Sequence, residues 1–146
     1  MSKWDLRFLD MAKHVASWSK DPSTKVGAVI FDRQNRVVSL GYNGFPKGVD
    51  DNPERYADRQ TKYKMVVHAE ANAILFAQRD LGGCSIATWP FMSCSACAAM
   101  LIQSGIRRCV APRLSDELAS RWSDSCAAST MMFNEAGVEL VLYEMT

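Results

Sequence analysis

Helical and strand-like segments alternate through the second half of the chain, and this alternation constrains the fold more than any other feature. From His68 the run AEANAILFAQRD predicts a helix ended by Gly82-Gly83, and residues 84–88 predict a short strand. A helix over 96–103, a strand over 107–111, a helix over 116–136 and a strand over 138–143 are predicted to follow. Because a crossover helix returns the chain in the same direction, the last two strands are expected to be parallel.

The first half of the chain predicts a helix, a hairpin and a long loop. A broad apolar stripe predicts a helix over Trp4 to Ser19, and β-rich runs over 26–31 and 36–42 flank a turn. Residues 41–64 are rich in glycine and polar side chains and predict a long functional loop. Trp122, on the long predicted helix, is expected to pack in the core. The whole predicts an α/β protein, with a mixed five-stranded sheet and helices on both faces.

The composition is that of one folded domain spanning residues 1–146. Seventeen basic and sixteen acidic side chains leave a net charge of +1, and 48% of the residues are hydrophobic. A net charge so close to zero lacks the excess of positive charge that is typical of nucleic-acid-binding proteins. No apolar run is long enough to cross a membrane, and no signal peptide follows Met1, so a cytoplasmic protein is expected.

Metal-ligating residue types occur together at two predicted helix starts. His68 opens the sequence His-Ala-Glu with Glu70, and Cys94 and Cys97 open the helix that follows the next strand. One histidine and two cysteines supply three tetrahedral positions for zinc and leave the fourth open for water. Glu70 is then free to move protons, provided that His68 lies at the very start of its helix. The other histidine, His14, sits inside a helical stripe without partners and is expected to be an ordinary helix residue.

Other interpretations of these residues are available. A Cys-x-x-Cys pair near a βαβ pattern is also typical of redox proteins, although His68 and Glu70 favour a metal. A zinc-stabilised module without catalysis would have no need of Glu70, and structural zinc sites normally close with four protein ligands.

The chain resembles the zinc-dependent cytidine and deoxycytidylate deaminase superfamily, and in particular its dCMP deaminases. The resemblance rests on His68-Ala-Glu70 followed by Cys94-Ser-Ala-Cys97, a spacing typical of these enzymes. Further similar stretches are DPSTKVGA at 21–28, GYNGFPKG at 41–48 and LIQSGI at 101–106. In this chain Ser93, and not the usual proline, directly precedes the first cysteine, and Pro90 lies three residues further back.

The resemblance implies a three-layer cytidine-deaminase-like fold and the hydrolysis of dCMP to dUMP, a reaction on a cyclic amidine that supplies thymidylate synthesis. Glu70 is expected to relay protons from the attacking water to the cytosine ring and the departing ammonia. By analogy with the family, Asn43 is expected to contact the sugar. The phosphate needs hydroxyl or cationic donors, and the turn before the first strand offers Ser23, Thr24 and Lys25.

The resemblance also implies regulation and assembly. Many dCMP deaminases are homo-oligomers, often hexamers, that dCTP activates and dTTP inhibits. The corresponding loop here offers glycines with open backbone N–H groups, a cation, and two carboxylates suited to Mg²⁺ on a triphosphate. These candidate effector-binding residues are Gly44, Lys47, Gly48, Asp50 and Asp51. A plain turn that closes the substrate pocket is the alternative.

The substrate is open at this point. dCTP or a modified dCMP is the nearest alternative to dCMP. A base in tRNA or single-stranded DNA is less favoured by the near-neutral charge and by the long loop, which is suited to enclosing a mononucleotide.

Overall fold

The computed structural model describes residues 2–145. The elements, in chain order, are α1 (Lys3–Ala16), β1 (Gly27–Phe31), β2 (Val37–Tyr42), α2 (Pro53–Ala57), α3 (Arg59–Met65), α4 (Ala69–Ala77), β3 (Ser85–Trp89), α5 (Ser95–Gln103), β4 (Arg108–Pro112), α6 (Asp116–Ala136) and β5 (Glu139–Tyr143). All five predicted strands are present, and each lies within one residue of its predicted bounds.

The five strands form one mixed sheet in the order β2-β1-β3-β4-β5. Strand β1 is antiparallel to both of its neighbours, β2 and β3. Strands β3, β4 and β5 run parallel, with Arg108 opposite Glu139 and Pro112 opposite Tyr143. The predicted parallel arrangement of the last two strands is therefore confirmed.

Helices cover both faces of the sheet, as predicted. On one face, α1 inserts Phe8, Leu9 and Val15 against apolar side chains of β1, β3 and β4. On the other face, α4, α5 and α6 pack together, and Phe133 of α6 is almost completely buried. The three helices on this second face bring the chemistry-bearing residues to one end of the sheet.

Two local predictions were wrong. The predicted loop over 41–64 contains two short helices, α2 and α3, which Asn52 and Asp58 cap by accepting hydrogen bonds from the first turn. Both helices are too short for a periodic apolar pattern to develop. Helix α4 ends at Gln78, which adopts a left-handed conformation with φ of 49°, and not at Gly82-Gly83.

A buried ionic cluster links α1 to strands β4 and β5. Asp5 is 2% exposed, and both of its carboxylate oxygens accept hydrogen bonds from the Arg108 guanidinium at 2.7 and 2.5 Å. The Tyr143 hydroxyl donates to the same carboxylate at 2.5 Å. Burial raises the pKa of Asp5, but the donors from Arg108 and Tyr143 outweigh it, so the pKa lies below its ordinary value.

Within residues 2–145, no helix combines the length and the apolar character needed to cross a lipid bilayer.

Candidate active site

The three predicted metal ligands lie at the starts of two adjacent helices. His68 is the N-cap residue of α4, and Cys94 is the N-cap residue of α5. Neither side chain makes a capping hydrogen bond, so both remain free to bind something else. Cys97 follows in the first turn of α5 and is buried. The extended backbone of His68, with φ of −70° and ψ of 155°, meets the condition that it lie at the very start of its helix.

The ligand atoms of these three residues converge. They lie within 4.8 Å of one another, and His68 Nδ1 is 3.3 Å from Cys97 Sγ and 3.6 Å from Cys94 Sγ. A tetrahedral zinc ion with ordinary bond lengths separates a nitrogen from a sulfur ligand by about 3.6 Å. The donor set and the spacing therefore fit zinc. One tetrahedral position would be left for a non-protein ligand.

The two thiols and the imidazole of His68 shift one another's pKa values. A hydrogen bond from the Cys97 thiol is the main reason that the pKa of Cys94 falls to about 4, and His68 lowers it further. The same hydrogen bond, together with burial, raises the pKa of Cys97 well above its ordinary value. The contact with Cys94 also raises the pKa of His68. Metal binding requires both cysteines as thiolates, as is usual for such sites.

Glu70 lies two residues after His68, in the first turn of α4, and is 4% exposed. Burial raises the pKa of its carboxyl group, and a hydrogen bond from Ser93 acts in the opposite direction. The carbonyl of Ser93 in turn accepts a hydrogen bond from Ser129 of α6 at 2.9 Å. Sequence reasoning did not identify Ser93 or Ser129 as site residues. The only signal was that Ser93 occupies the position directly before the first cysteine.

A cavity of about 400 Å³ opens above these residues, which is a size typical of small-molecule sites. It is lined by residues from the loops after α1 and β2, from α2 to α4, from the loops after β3 and β4, and from α6. The lining residues are Asp21, Pro22, Ser23, Thr24, Val26, Asn43, Tyr56, Ala57, Arg59, Lys62, Tyr63, Val66, His68, Ala69, Glu70, Phe91, Met92, Cys94, Leu114, Arg121, Trp122, Ser125 and Cys126.

Asn43, predicted to contact the sugar, lies in the cavity wall and is held tightly in place. Its side-chain oxygen accepts a hydrogen bond from the Val26 backbone at 2.9 Å. Its amide group donates to the Thr24 carbonyl at 2.9 Å and to the Asp21 carboxylate at 3.4 Å. Ser23 and Thr24 also line the cavity. The structure thus brings three of the four predicted substrate residues together.

Lys25, the fourth predicted substrate residue, is outside the cavity lining, and its ammonium group donates to the Ser19 carbonyl. The lysine that does line the cavity is Lys62 of α3, which forms an ion pair of 2.7 Å with Asp21. Asp21 is 1% exposed and also accepts hydrogen bonds from the Ser23 and Thr24 backbones. Through these contacts Asp21 connects α3, the turn before β1 and Asn43 on one wall of the cavity.

The predicted effector residues lie outside this cavity lining. Gly44 forms a two-way backbone bridge with Val67. The Lys47 ammonium lies 4.8 Å from the centre of the Phe76 ring, on the exposed side of α4. Gly48 has a left-handed φ of 81°, and a side chain there would meet nothing within 4 Å.

The two acidic residues of that loop already have partners. Asp51 forms an ion pair of 3.0 Å with Lys20. Asp50 accepts a hydrogen bond from the Asn52 backbone at 3.2 Å. A cation bound by both carboxylates would have to replace these contacts.

Aromatic and cationic residues of the cavity were not identified from the sequence. Tyr63 and Phe91 line it, together with the arginines Arg59 and Arg121. Trp122 also lines it, 41% exposed and 6.0 Å from Phe91 between ring centroids, so the prediction that this tryptophan packs in the core was wrong. These side chains come from three separate segments, α3, the loop after β3 and α6, so no local sequence pattern indicates that they lie together.

Comparison with known proteins agrees with this geometry. The family described as "Cytidine and deoxycytidylate deaminase zinc-binding region" matches residues 2–112. An uncharacterised deaminase encoded in the luxG 3′ region of Aliivibrio fischeri is 50% identical over 140 residues, covering 96% of this chain and 93% of its own. Human deoxycytidylate deaminase is 39% identical over 144 residues, covering 93% of this chain and 77% of its own.

A solved structure shows the same fold. It is that of a dCMP deaminase from the cyanophage S-TIM5, in complex with dCMP and dUMP, and it matches with a TM-score of 0.72. The match covers 98% of this chain and 99% of the phage chain at 20% identity. The matching zinc-binding region, the human relative and the convergence of His68, Cys94 and Cys97 lead to one conclusion: the chain belongs to the cytidine and deoxycytidylate deaminase family.

Proposed function

We propose that the protein catalyses the zinc-dependent hydrolytic deamination of dCMP to dUMP. The observation that carries the proposal is a buried glutamate, Glu70, on the wall of a cavity that also contains two ligands of a three-ligand zinc site. Metal-assisted hydrolysis requires a residue that transfers protons next to a free coordination position of the metal. The name of the human relative and the nucleotides bound to the cyanophage enzyme support dCMP as the substrate.

The mechanism assigns separate tasks to the residues of the site. His68, Cys94 and Cys97 would hold the zinc ion, which would lower the pKa of a water molecule towards neutral pH. Glu70 accepts one proton from the attacking water and delivers it to N3 of cytosine, and it then carries the second proton of that water, from the hydroxyl group formed at C4, to the departing amino group. Ser93, whose side chain lowers the pKa of the Glu70 carboxyl group, is proposed to orient that carboxylate.

The rest of the nucleotide is proposed to lie along the Asp21 side of the cavity. Asn43 offers its side-chain oxygen to the sugar, since that oxygen retains one free lone pair after binding Val26. Ser23 and Thr24 offer hydroxyl groups to the phosphate. Lys25 takes part only if its ammonium group leaves the Ser19 carbonyl.

The test is an ammonia-release assay on the zinc-loaded protein with cytidine, deoxycytidine, CMP, dCMP, dCTP and a single-stranded oligonucleotide. We expect the highest kcat/KM for dCMP. Preference for dCTP would support the alternative of a triphosphate substrate. A protein that binds zinc stoichiometrically but releases no ammonia from any of these would support the non-catalytic zinc module instead.

Regulation and assembly form the finer part of the proposal. We propose that dCTP and dTTP act as effectors at Gly44, Lys47, Gly48, Asp50 and Asp51, with Mg²⁺ on the triphosphate, in a cytoplasmic homo-oligomer such as a hexamer. Saturation curves for dCMP with and without each triphosphate and Mg²⁺ test the effector site. Unchanged hyperbolic curves would refute the effector site. Light scattering at known protein concentration gives the subunit number.

A further inference from the structure

Two arginines from different parts of the chain line the proposed active-site cavity. Arg59 is the first residue of α3, and Arg121 lies in α6. They are separated by 62 positions in sequence, and only the tertiary fold brings both side chains to one cavity. Two guanidinium groups beside a small-molecule site are a typical arrangement for a phosphate or carboxylate.

Neither arginine has an acidic partner within the part of the chain that the structure describes. Among residues 2–145, neither Arg59 nor Arg121 forms an ion pair or a side-chain hydrogen bond. Glu117 is four residues before Arg121 on the same helix and still makes no ion pair with it. The contrast is Lys62, whose charge is compensated by Asp21 at 2.7 Å. Both arginines are exposed to solvent at the cavity, so they offer it positive charge that no carboxylate among residues 2–145 pairs with.

The position of Arg121 bears on substrate selection. The family match covers residues 2–112, and its description includes both a nucleoside and a nucleotide deaminase. The zinc-binding region alone therefore does not distinguish the two substrates. Helix α6 lies beyond that region and contributes Arg121, Trp122, Ser125 and Cys126 to the cavity.

We propose that Arg59 and Arg121 bind the 5′-phosphate of the substrate and make the enzyme select the nucleotide over the nucleoside. The proposal rests on the proposed deamination of dCMP and names the charged groups that recognise its phosphate. Ser23 and Thr24 supply hydroxyl donors, but their backbone N–H groups are already bound to Asp21. The two guanidinium groups supply the compensating charge that hydroxyl groups lack.

The experiment compares dCMP with deoxycytidine in R59Q, R121Q and the double variant. Loss of a charged hydrogen bond costs about 1.5–3 kcal/mol, so we expect each single variant to lower kcat/KM for dCMP about 10- to 150-fold. The kcat/KM for deoxycytidine should stay within about twofold, because the nucleoside lacks the group that the arginines bind. R59K and R121K should recover part of the loss.

A matched control uses Arg33, an arginine in the turn between β1 and β2 that does not line the cavity. R33Q removes the same charge and should leave the ratio of the two kcat/KM values unchanged. Circular dichroism melting and zinc content verify that all variants fold. Equal losses for dCMP and deoxycytidine, or no loss for either, would overturn the proposal.

A binding measurement tests the role of the two arginines independently of the proposed enzymatic activity. Calorimetry measures dUMP, deoxyuridine and inorganic phosphate against the zinc-loaded protein and the variants. We expect dUMP to bind more tightly than deoxyuridine, and R59Q and R121Q to weaken dUMP alone. If the wild-type protein deaminates neither substrate, the proposed function fails, while the calorimetry still decides whether the arginines bind phosphate. Equal affinity of wild type and double variant for dUMP would refute the arginine assignment even in an active enzyme.

Discussion

Replacement of Gly41 by alanine tests how the sheet positions the proposed catalytic helix. Gly41 lies in β2 directly beneath α4, the helix that begins after His68 and contains Glu70. A Cβ atom at this position would lie 2.6 Å from the Ala69 carbonyl oxygen and 2.6 Å from the Ala73 backbone nitrogen. Both atoms belong to the helix backbone, so no side-chain rotation relieves the clash.

The distances set the size of the effect. Ordinary contact begins near 3.4 Å, so the helix has to move away from β2 by about 0.8 Å. Forced overpacking of this kind costs about 1–3 kcal/mol. For a chain of this length we expect a fall in melting temperature of roughly 3–12 °C. A displacement approaching 1 Å at a catalytic group lowers turnover by about 100-fold.

The assay pairs thermal melting with dCMP turnover in G41A, with G82A as the matched control. At Gly82 the added Cβ would meet the flexible Asp80 carboxylate at 3.2 Å, which a small side-chain movement relieves. G82A should therefore remain close to wild type in both measurements. A G41A protein with unchanged melting temperature and unchanged kcat would refute the argument that close packing on β2 positions Glu70.

Three further predictions follow from single contacts. Glu70→Gln should retain zinc and melting temperature but lose most turnover, because an amide cannot relay protons; near-normal kcat would contradict the mechanism. Cys97→Ser should lose zinc by elemental analysis and melt earlier, since it removes one of three ligands; full zinc occupancy would contradict the ligand set. Asp5→Asn should cost about 3 kcal/mol at neutral pH, because it removes the buried carboxylate and leaves the partly buried Arg108 with the exposed Glu139 as its ion-pair partner. The pKa of Asp5 is lowered in the folded protein, so the stability difference between wild type and variant should be constant above pH ~5. It should shrink as the pH falls through and below the unfolded-state pKa of about 3.9. Denaturant titrations at pH 7 and pH 3 that give equal differences in the free energy of unfolding would contradict this prediction.

The strands and their directions could be predicted from the sequence because each rests on a local signal. Apolar runs bounded by turn residues predicted the strands, and the crossover rule then predicted parallel pairing of β4 with β5. Helices α2 and α3 were missed because five and seven residues do not develop an amphipathic period. Gln78 was missed as the end of α4 because glutamine seldom adopts a left-handed conformation.

The metal site was more predictable than the substrate site for a related reason. His68, Glu70, Cys94 and Cys97 are close in sequence and chemically distinctive, so their spacing alone indicated a shared function. The phosphate-binding residues that we propose are ordinary arginines in helices, with no motif around them. Their meeting depends on how α3 and α6 approach the same cavity, which only the tertiary structure reports.

The spacing of His68 and Glu70 shows how the fold resolves a geometric conflict. Two residues that are two positions apart in a helix point about 200° apart around its axis, so a regular helix would turn one of them away from the site. The extended backbone of His68 places that residue before the helix begins, while Glu70 lies within the first turn. Helix α4 must then start at a defined distance from the sheet. Three contacts with β2 fix that distance: the close approach at Gly41, the Ser39 hydroxyl donating to the Ala73 carbonyl at 2.7 Å, and the Asn72 amide donating to the Tyr42 carbonyl at 2.8 Å.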